Sequence, residues 1–245
     1  MIRILPLDEQ PELINRLPEI HDGTFPNYLI EGDKINHYYW SEVGLLETFP
    51  EYQFVLIDEE NRLLGSGHTI PLYWDGTPEG LPSGYDTALI QGFEGKQKPN
   101  ALCGLSIIIS TQYRGKGLSQ RAVQAMKALA QKKKFDSVIL PVRPTRKSTY
   151  PLIPMNRYIR WKNKEGFPFD PWLRVHVKLG GEIVKVAPQS MVVKGNLRQW
   201  EEWTKMIFPE SGQYIVPGAL QPVEINVEED YGRYDDPNVW MIHRV

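Results

Sequence analysis

The stretch Ile107-Ile-Ile-Ser-Thr-Gln-Tyr-Arg-Gly-Lys-Gly-Leu-Ser119 decides the fold of this chain. A β-branched run ends in a basic turn with two glycines, and apolar residues then recur at helical spacing. The pattern predicts a strand, a tight loop and an amphipathic helix that begins directly after Gly117. The first N–H groups of a helix lack intrahelical acceptors, its dipole favours an anion there, and glycines let the backbone approach closely. We therefore predict that this loop binds a pyrophosphate. The alternative is a turn whose glycines serve only packing.

Two other glycine-rich phosphate-binding motifs do not occur in the sequence. It contains no Gly-x-x-x-x-Gly-Lys-Ser/Thr, and the glycines near residue 115 do not follow the spacing Gly-x-Gly-x-x-Gly after a first strand. Mononucleotide- and dinucleotide-binding folds of these kinds are therefore disfavoured.

The composition is that of a soluble enzyme. Of 245 residues 41% are hydrophobic, the formal charge is −2, and no apolar run is long enough to cross a bilayer. A single cysteine, Cys103, and a start without a signal-peptide pattern favour a reducing cytoplasm. The five histidines are widely separated, so we expect no metal site. The balanced charge argues against nucleic acid as a partner, and we expect no membrane partner.

The remaining periodicity predicts an α/β chain. We expect a first strand near the N-terminus, helical stretches up to about residue 49, a β-hairpin over residues 52–72 and a βαβ unit over residues 101–142. Residues 73–99 are rich in Gly, Pro, Asp and Ser and predict an insertion over the site without a regular element. Residues 1–245 are interpreted as a single domain, with an aromatic C-terminal extension over about residues 185–245 that completes the sheet.

The motif Gln112-x-x-Gly115-x-Gly117, between a strand and a helix, resembles the signature of the GNAT acyltransferase superfamily. The resemblance implies a mixed central sheet flanked by helices (α+β), with a coenzyme A thioester, acetyl-CoA or malonyl-CoA, as substrate and no metal. It also implies a set of residues that contact coenzyme A: Ile107, Ile108, Ile109, Gln112, Arg114, Gly115, Lys116, Gly117, Leu118 and Ser119.

A second informative stretch begins at Asp170. Asp170 can cap a helix that has Pro171 at its first position and Gly180 just past its end, although a strand is the alternative. Many GNAT enzymes, the family that this chain resembles, carry the motif Tyr-x-x-x-Gly-Phe here, and its tyrosine acts as the general acid. This chain has His176 in the tyrosine position. Imidazole can donate or accept a proton near neutral pH. A packing or hydrogen-bonding role for this histidine is the alternative.

The motifs around Thr145 and His176 resemble those of the GNAT-like loading domains of polyketide synthases, from about residue 35 onward. This resemblance implies decarboxylation of malonyl-CoA, acetyl transfer to a carrier-protein thiol, or both. Thr145 would hold the malonyl carboxylate or the thioester oxygen, and His176 would stabilise the enolate and protonate the α-carbon. A local cap is the alternative for Thr145. Trp40 is predicted in the substrate pocket or, alternatively, in the core.

Partners and other functions remain open at this point. A basic flank over residues 137–164 would meet coenzyme A phosphates or an acyl carrier protein supplied in trans, or it faces solvent or the acidic residues 224–236. The leading hypothesis is a decarboxylase and S-acetyltransferase. The alternatives are an N-acetyltransferase that acts on an amine and a non-catalytic module that binds acyl-CoA.

Overall fold

A computed structural model describes residues 2–21 and 23–245 of the chain. The strands are β1 (Arg3–Pro6), β2 (Gln53–Ile57), β3 (Leu63–Leu72), β4 (Ala101–Ile109), β5 (Ser137–Val142), β6 (Glu182–Gly195), β7 (Gly212–Tyr214), β8 (Val223–Asn226) and β9 (Tyr231–Arg244). The helices are α1 (Pro18–His21), α2 (Asn27–Gly32), α3 (Lys34–His37), α4 (Leu45–Thr48), α5 (Tyr85–Glu94), α6 (Leu118–Lys132), α7 (Met155–Tyr158), α8 (Pro171–Lys178) and α9 (Leu197–Thr204). Short 3-10 and π turns join them at Pro11–Arg16, Tyr38–Glu42, Pro50–Tyr52, Thr111–Tyr113 and Lys147–Thr149.

The strands form one mixed sheet in the order β1-β2-β3-β4-β5-β9-β8-β7, and β6 pairs with β9. Neighbouring strands are antiparallel except β4 and β5, which are parallel and are joined by the crossover helix α6. Successive residues face opposite sides: Leu102 lies in the core cluster with α6 and α8, and Cys103 in the cluster with α5. The predicted mixed α/β architecture is confirmed.

Strands β4 and β5 separate along their length, and this opening positions the site. Their parallel pairing covers only Leu102 with Val138 and Cys103 with Ile139. The pairing of β3 with β4 also shifts register, which leaves Leu105 as an extra residue in β4, a β-bulge that bends the strand. The second half of β4 therefore has a free backbone edge that faces the gap.

Helix α6 begins at Leu118 directly after the glycines, as predicted, and buries Leu118, Ala122 and Met126 against the sheet. It ends at Lys132, because Lys134 adopts a left-handed conformation.

The expectation that residues 73–99 hold no regular element is wrong, because Tyr85–Glu94 is helical. Ala88 and Leu89 are completely buried, and a Cβ atom on Gly92 would lie 2.4 Å from the Ile70 side chain. Tertiary packing therefore stabilises this helix despite its loop-like composition.

The aromatic C-terminal part completes the sheet, as expected. Strand β6 pairs with most of β9 and β5 pairs with its C-terminal half, and the side chains of Trp200 and Trp240 are fully buried. No helix within residues 2–21 and 23–245 is both long and apolar enough to cross a bilayer.

Candidate active site

A cavity of about 1170 Å³ fills the gap between β4 and β5 and extends to the helices at the N-terminal side. The loop before α6 lines one end and α8 lines one wall. The far end is lined by polar and aromatic side chains of α1, α3 and α5, among them His21, Asn36 and Tyr85. The cavity therefore connects the predicted pyrophosphate loop to a second, polar compartment.

The loop before α6 has the geometry of an anion site. Gly115 and Gly117 have φ angles of 79° and 75°, which L side chains adopt only with strain, and no side chain caps the first turn. The first N–H groups of this 15-residue helix are therefore available to a phosphate. Of the ten residues expected to contact coenzyme A, eight line the cavity, and Gln112 and Lys116 do not.

His176 lies on α8, which starts where predicted: the carboxylate of Asp170 accepts hydrogen bonds from the N–H groups of Trp172 and Leu173. The imidazole is buried, and its Nδ1 atom lies 2.9 Å from Nε2 of His243. Nε2 of His176 is buried and has no hydrogen-bond partner among the described residues. Burial, and secondarily His243, lower the pKa of His176 to about 3, so the ring is neutral at pH 7.

Thr145 lies on the wall of the same cavity, in the loop that follows β5. Its side chain is exposed, and its hydroxyl has no partner in the part of the chain that the structure describes. The local cap considered for it is therefore not observed. The N–H of the next residue, Arg146, donates to Asp170 at 2.8 Å, which ties the Thr145 loop to the start of α8. The structure thus brings both predicted catalytic residues to one cavity.

Trp40 lines the cavity and also packs on the core, and its role towards a substrate stays a prediction. Its Nε1–H donates to the hydroxyl of Tyr85 at 2.8 Å, and that hydroxyl donates to Asn36 at 2.9 Å. These side chains form a hydrogen-bonded polar wall of the cavity.

A serine and two histidines near this wall were missed at the level of sequence. The hydroxyl of Ser66 lies 3.3 Å from Nε2 of His21 and 2.9 Å from Nε2 of His68. His21 lines the cavity, while burial lowers the pKa of His68 to about 3. The i, i+2 spacing of Ser66 and His68 places them on one face of β3, which was the available signal. Within residues 2–21 and 23–245 no group of three or more metal-ligating side chains forms a metal site.

Part of the basic flank faces inward. Arg143 forms an ion pair with the buried Asp236 at 3.0 Å, and the ammonium of Lys147 donates to the carbonyls of Tyr150 and Leu220. Burial lowers the pKa of Lys147 to about 8. These two cations therefore hold β9 and the loop before β8 and are not free to bind phosphates, and the contact with the acidic segment is observed at Arg143.

The sequence model of the acetyltransferase (GNAT) family matches residues 14–153. The chain belongs to this family. The resemblance carried by Gln112, Gly115 and Gly117 is therefore confirmed, and the protein is a GNAT acyltransferase. The chain is 31% identical over 268 residues to arginine N-acetyltransferase avaD of Aspergillus versicolor, with 96% of this chain and 91% of that protein covered.

Two solved structures share the GNAT fold of the whole chain. The GNAT-like loading domain of CurA from Lyngbya majuscula is 17% identical with a TM-score of 0.59, covering 100% of this chain and 96% of that one. The GNAT-like decarboxylase GphF, solved with isobutyryl-CoA, is 15% identical with a TM-score of 0.61, covering 100% and 98%. At these identities the likeness shows the fold alone.

Replacing Gly117 with alanine should weaken coenzyme A binding about tenfold, because the αL conformation costs an L side chain roughly 1–2 kcal/mol and the first turn would rearrange. Titration calorimetry with coenzyme A measures this. Gly166→Ala is the matched control, since Gly166 has a φ of 82° and open space for a Cβ atom but does not line the cavity. Equal weakening in both variants would contradict a specific role for the loop.

Proposed function

We propose that the protein is an N-acetyltransferase, which transfers the acetyl group of acetyl-CoA to the amine of a small acceptor related to arginine. The observation that carries this proposal is the second compartment of the cavity, lined by His21, Asn36 and Tyr85. A reaction with two substrates needs such room beside the thioester. The relative that aligns with 96% of the chain is an arginine N-acetyltransferase, which supports the acceptor class.

His176 would move the proton between the two substrates. The acceptor enters as a free amine, because a group with a pKa of about 3 does not deprotonate a free ammonium at pH 7. The amine nitrogen attacks the thioester carbon and becomes cationic as the C–N bond forms. Nε2 of His176, which has no partner of its own, accepts a proton from this nitrogen. The C–S bond then breaks, and His176 returns the proton to the sulfur, giving an amide and a free thiol.

Thr145 and the loop before α6 would hold the acyl donor. The hydroxyl of Thr145 would donate to the thioester oxygen, on which negative charge develops during attack. The free edge of β4 offers N–H and C=O groups to the amides of the pantetheine arm. The N-terminus of α6 would bind the pyrophosphate.

The test is incubation with acetyl-CoA and a series of amines, with mass spectrometry of the products. The series comprises arginine, lysine, agmatine and a neutral amino acid. We expect acetylated arginine or a related cationic amine, and a kcat about 10²–10⁴-fold lower in His176→Ala. Thr145→Ala should lower kcat, whereas Thr149→Ala, an exposed threonine outside the cavity, should not. No acetylated amine, with acetyl-CoA left intact or only hydrolysed, would contradict the proposal.

Decarboxylation of malonyl-CoA is the second candidate, favoured by a neutral His176 and Thr145 on one cavity. It predicts acetyl-CoA from malonyl-CoA without any acceptor, and an acyl carrier protein in trans would then receive the acetyl group. Incubation with malonyl-CoA in the same experiment distinguishes decarboxylation from N-acetylation. Binding of acyl-CoA without turnover of either substrate would favour a non-catalytic module instead. A cytoplasmic location stays a prediction.

A further inference from the structure

One amide group on the polar wall of the cavity is available to a substrate. Asn36 lies on α3, lines the cavity and is half-buried. Its Nδ2 group has no hydrogen-bond partner among the described residues, and it is not one of the unpartnered polar atoms that are shielded from solvent. This accessible N–H group can therefore donate a hydrogen bond to a ligand.

Two neighbours determine the orientation of this amide. The Nε1–H group of Trp40 can only donate, so the hydroxyl oxygen of Tyr85 accepts that hydrogen bond at 2.8 Å. The single proton of the Tyr85 hydroxyl is then donated to the Asn36 oxygen at 2.9 Å. An amide turned the other way would leave this proton without an acceptor, which costs free energy. The amide oxygen therefore faces Tyr85, and Nδ2 faces away from it.

Other polar groups beside Asn36 are already paired within the protein. The side chain of Asn238, which also lines the cavity, accepts from Ser190 at 3.0 Å and donates to Asp236 at 2.8 Å. The indole of Trp40 and the hydroxyl of Tyr85 are paired in the chain of bonds just described. Asn36 differs from them because no described residue uses its donor.

The charges of the cavity wall favour an oxygen atom as the partner of this donor. Among the described residues that line the cavity, none carries a carboxyl group, whereas Arg114 and Arg143 carry guanidinium groups. Arg143 is paired with Asp236. A wall of N–H donors without carboxylates suits a carbonyl or carboxylate oxygen and offers no ion pair to a cationic group.

We infer that Asn36 recognises the acceptor through a hydrogen bond from Nδ2 to the oxygen of a carboxylate or carboxamide group. Tyr85 is then a positioning residue that orients this amide. The inference rests on the proposed N-acetylation and narrows its substrate class: the acceptor is an amino acid or an amino-acid amide rather than a simple amine. Agmatine, which is arginine without its carboxylate, lacks the recognised oxygen.

The decisive measurement is the effect of Asn36→Ala on the binding of arginine amide and of agmatine. Titration calorimetry in the presence of coenzyme A measures both affinities, and no turnover occurs because coenzyme A carries no acetyl group. We expect the variant to bind arginine amide about five- to tenfold more weakly and agmatine as well as the wild type does. Any general disturbance of the cavity would weaken both ligands and cancel in their ratio.

An unchanged ratio of the two affinities in Asn36→Ala overturns the inference, and so does failure of the wild type to bind either ligand. The proposed function is tested separately, by the acetylated products formed from acetyl-CoA. Amines that are acetylated while the ratio stays unchanged would contradict the inference alone. Binding that follows the expected pattern without any acetylated product would contradict the proposed function alone.

Two further variants test the orientation and the position of the donor. Tyr85→Phe removes the hydroxyl that orients the amide, so it should lower the ratio of the two affinities by less than Asn36→Ala does. Asn27→Ala is the matched control, because Asn27 is an exposed asparagine on α2 that also lines the cavity, and it should keep the wild-type ratio. A ratio that falls equally in Asn27→Ala and Asn36→Ala would overturn the assignment to Asn36. A wild-type ratio in folded Tyr85→Phe, checked by its thermal unfolding, would overturn the positioning role of Tyr85.

Discussion

Replacing Asp170 with alanine should lower the free energy of unfolding by about 3–5 kcal/mol. The buried carboxylate accepts hydrogen bonds from four donors: the N–H groups of Trp172, Leu173 and Arg146 and the hydroxyl of Tyr158. Alanine would leave all four unpaired, and a buried donor without a partner costs about 1–3 kcal/mol. Urea unfolding followed by circular dichroism measures the difference.

Asn196→Ala is the matched control, because Asn196 caps α9 at the exposed surface and, among the described residues, its side chain accepts from the N–H of Gln199 alone. That variant should lose about 1 kcal/mol, the usual value of an N-cap. Asp170→Asn keeps an acceptor oxygen, so its loss of unfolding free energy should lie between those of the two alanine variants. If Asp170→Ala loses no more than Asn196→Ala, the bonds from Arg146 and Tyr158 contribute nothing, and Asp170 does not hold the Thr145 loop against α8.

The sequence was sufficient to predict those parts of the site whose structural signal is local. The glycines at 115 and 117 and the helix from Leu118 lie within a few residues of one another, and Asp170-Pro171 is a capping pattern read from adjacent residues. Such signals depend on backbone dihedral angles and first-turn hydrogen bonds, which the neighbouring residues themselves determine. The loop before α6 and the start of α8, which both line the cavity, could therefore be predicted without any tertiary information.

Apart from the pair of Ser66 and His68, the missed features depend on contacts between residues that are distant in sequence. His243 lies 67 residues from His176 and reaches it only because β9 runs beside β6 and β5. Helix α5 has three glycines in or beside it and depends on packing against β3. The carboxyls of Asp33 and Asp86 meet across two helices that no spacing rule connects. Sequence patterns indicate which residues face a core, but they do not tell which residues will share a hydrogen bond there.

The stability of the protein should have a maximum near pH 6.5. His68, His176 and His243 are fully buried, and burial lowers their pKa values to about 3, 3 and 4. In the unfolded chain each titrates near 6.5. Below pH 6.5 the unfolded state therefore binds more protons, so acid destabilises the fold by up to about 1.4 kcal/mol per histidine and pH unit.

Two buried carboxyls, in contrast, make the fold less stable as the pH rises. Asp33 Oδ2 and Asp86 Oδ1 are buried and have no hydrogen-bond donor among the described residues, so we expect the two interacting carboxyls to share one proton. Burial, and secondarily Asp33, raise the pKa of Asp86 to about 9. An unfolded aspartate titrates near 4, so the folded state binds more protons between pH 4 and 9 and loses stability as pH rises. Below pH 6.5 the stability that the three histidines add as the pH rises exceeds this loss. Above pH 6.5 the carboxyls alone change the stability with pH.

Urea unfolding at a series of pH values measures both limbs of the stability curve, the acid limb below pH 6.5 and the alkaline limb above it. We expect a loss of about 2–4 kcal/mol from pH 6.5 to 5 and about 2 kcal/mol from pH 6.5 to 8.5. In Asp86→Asn the amide carbonyl can accept from the N–H of Val192, as Oδ2 does now, and the amide N–H can donate to Asp33. This variant should be more stable than the wild type at pH 8.5, by about 2 kcal/mol or more, with a flatter alkaline limb.

The exposed carboxylate of Asp8 supplies the control, and Asp8→Asn should leave both limbs unchanged. A wild type that keeps its full stability at pH 8.5 would show that Asp33 and Asp86 share no proton. The carboxyl pair joins α3, α5 and β6, whose residues Asn36, Tyr85 and Met191 line the polar compartment. Loss of the shared proton should therefore loosen the acceptor side of the cavity first, and the KM for the amine should rise above pH 8.5 before the KM for acetyl-CoA does.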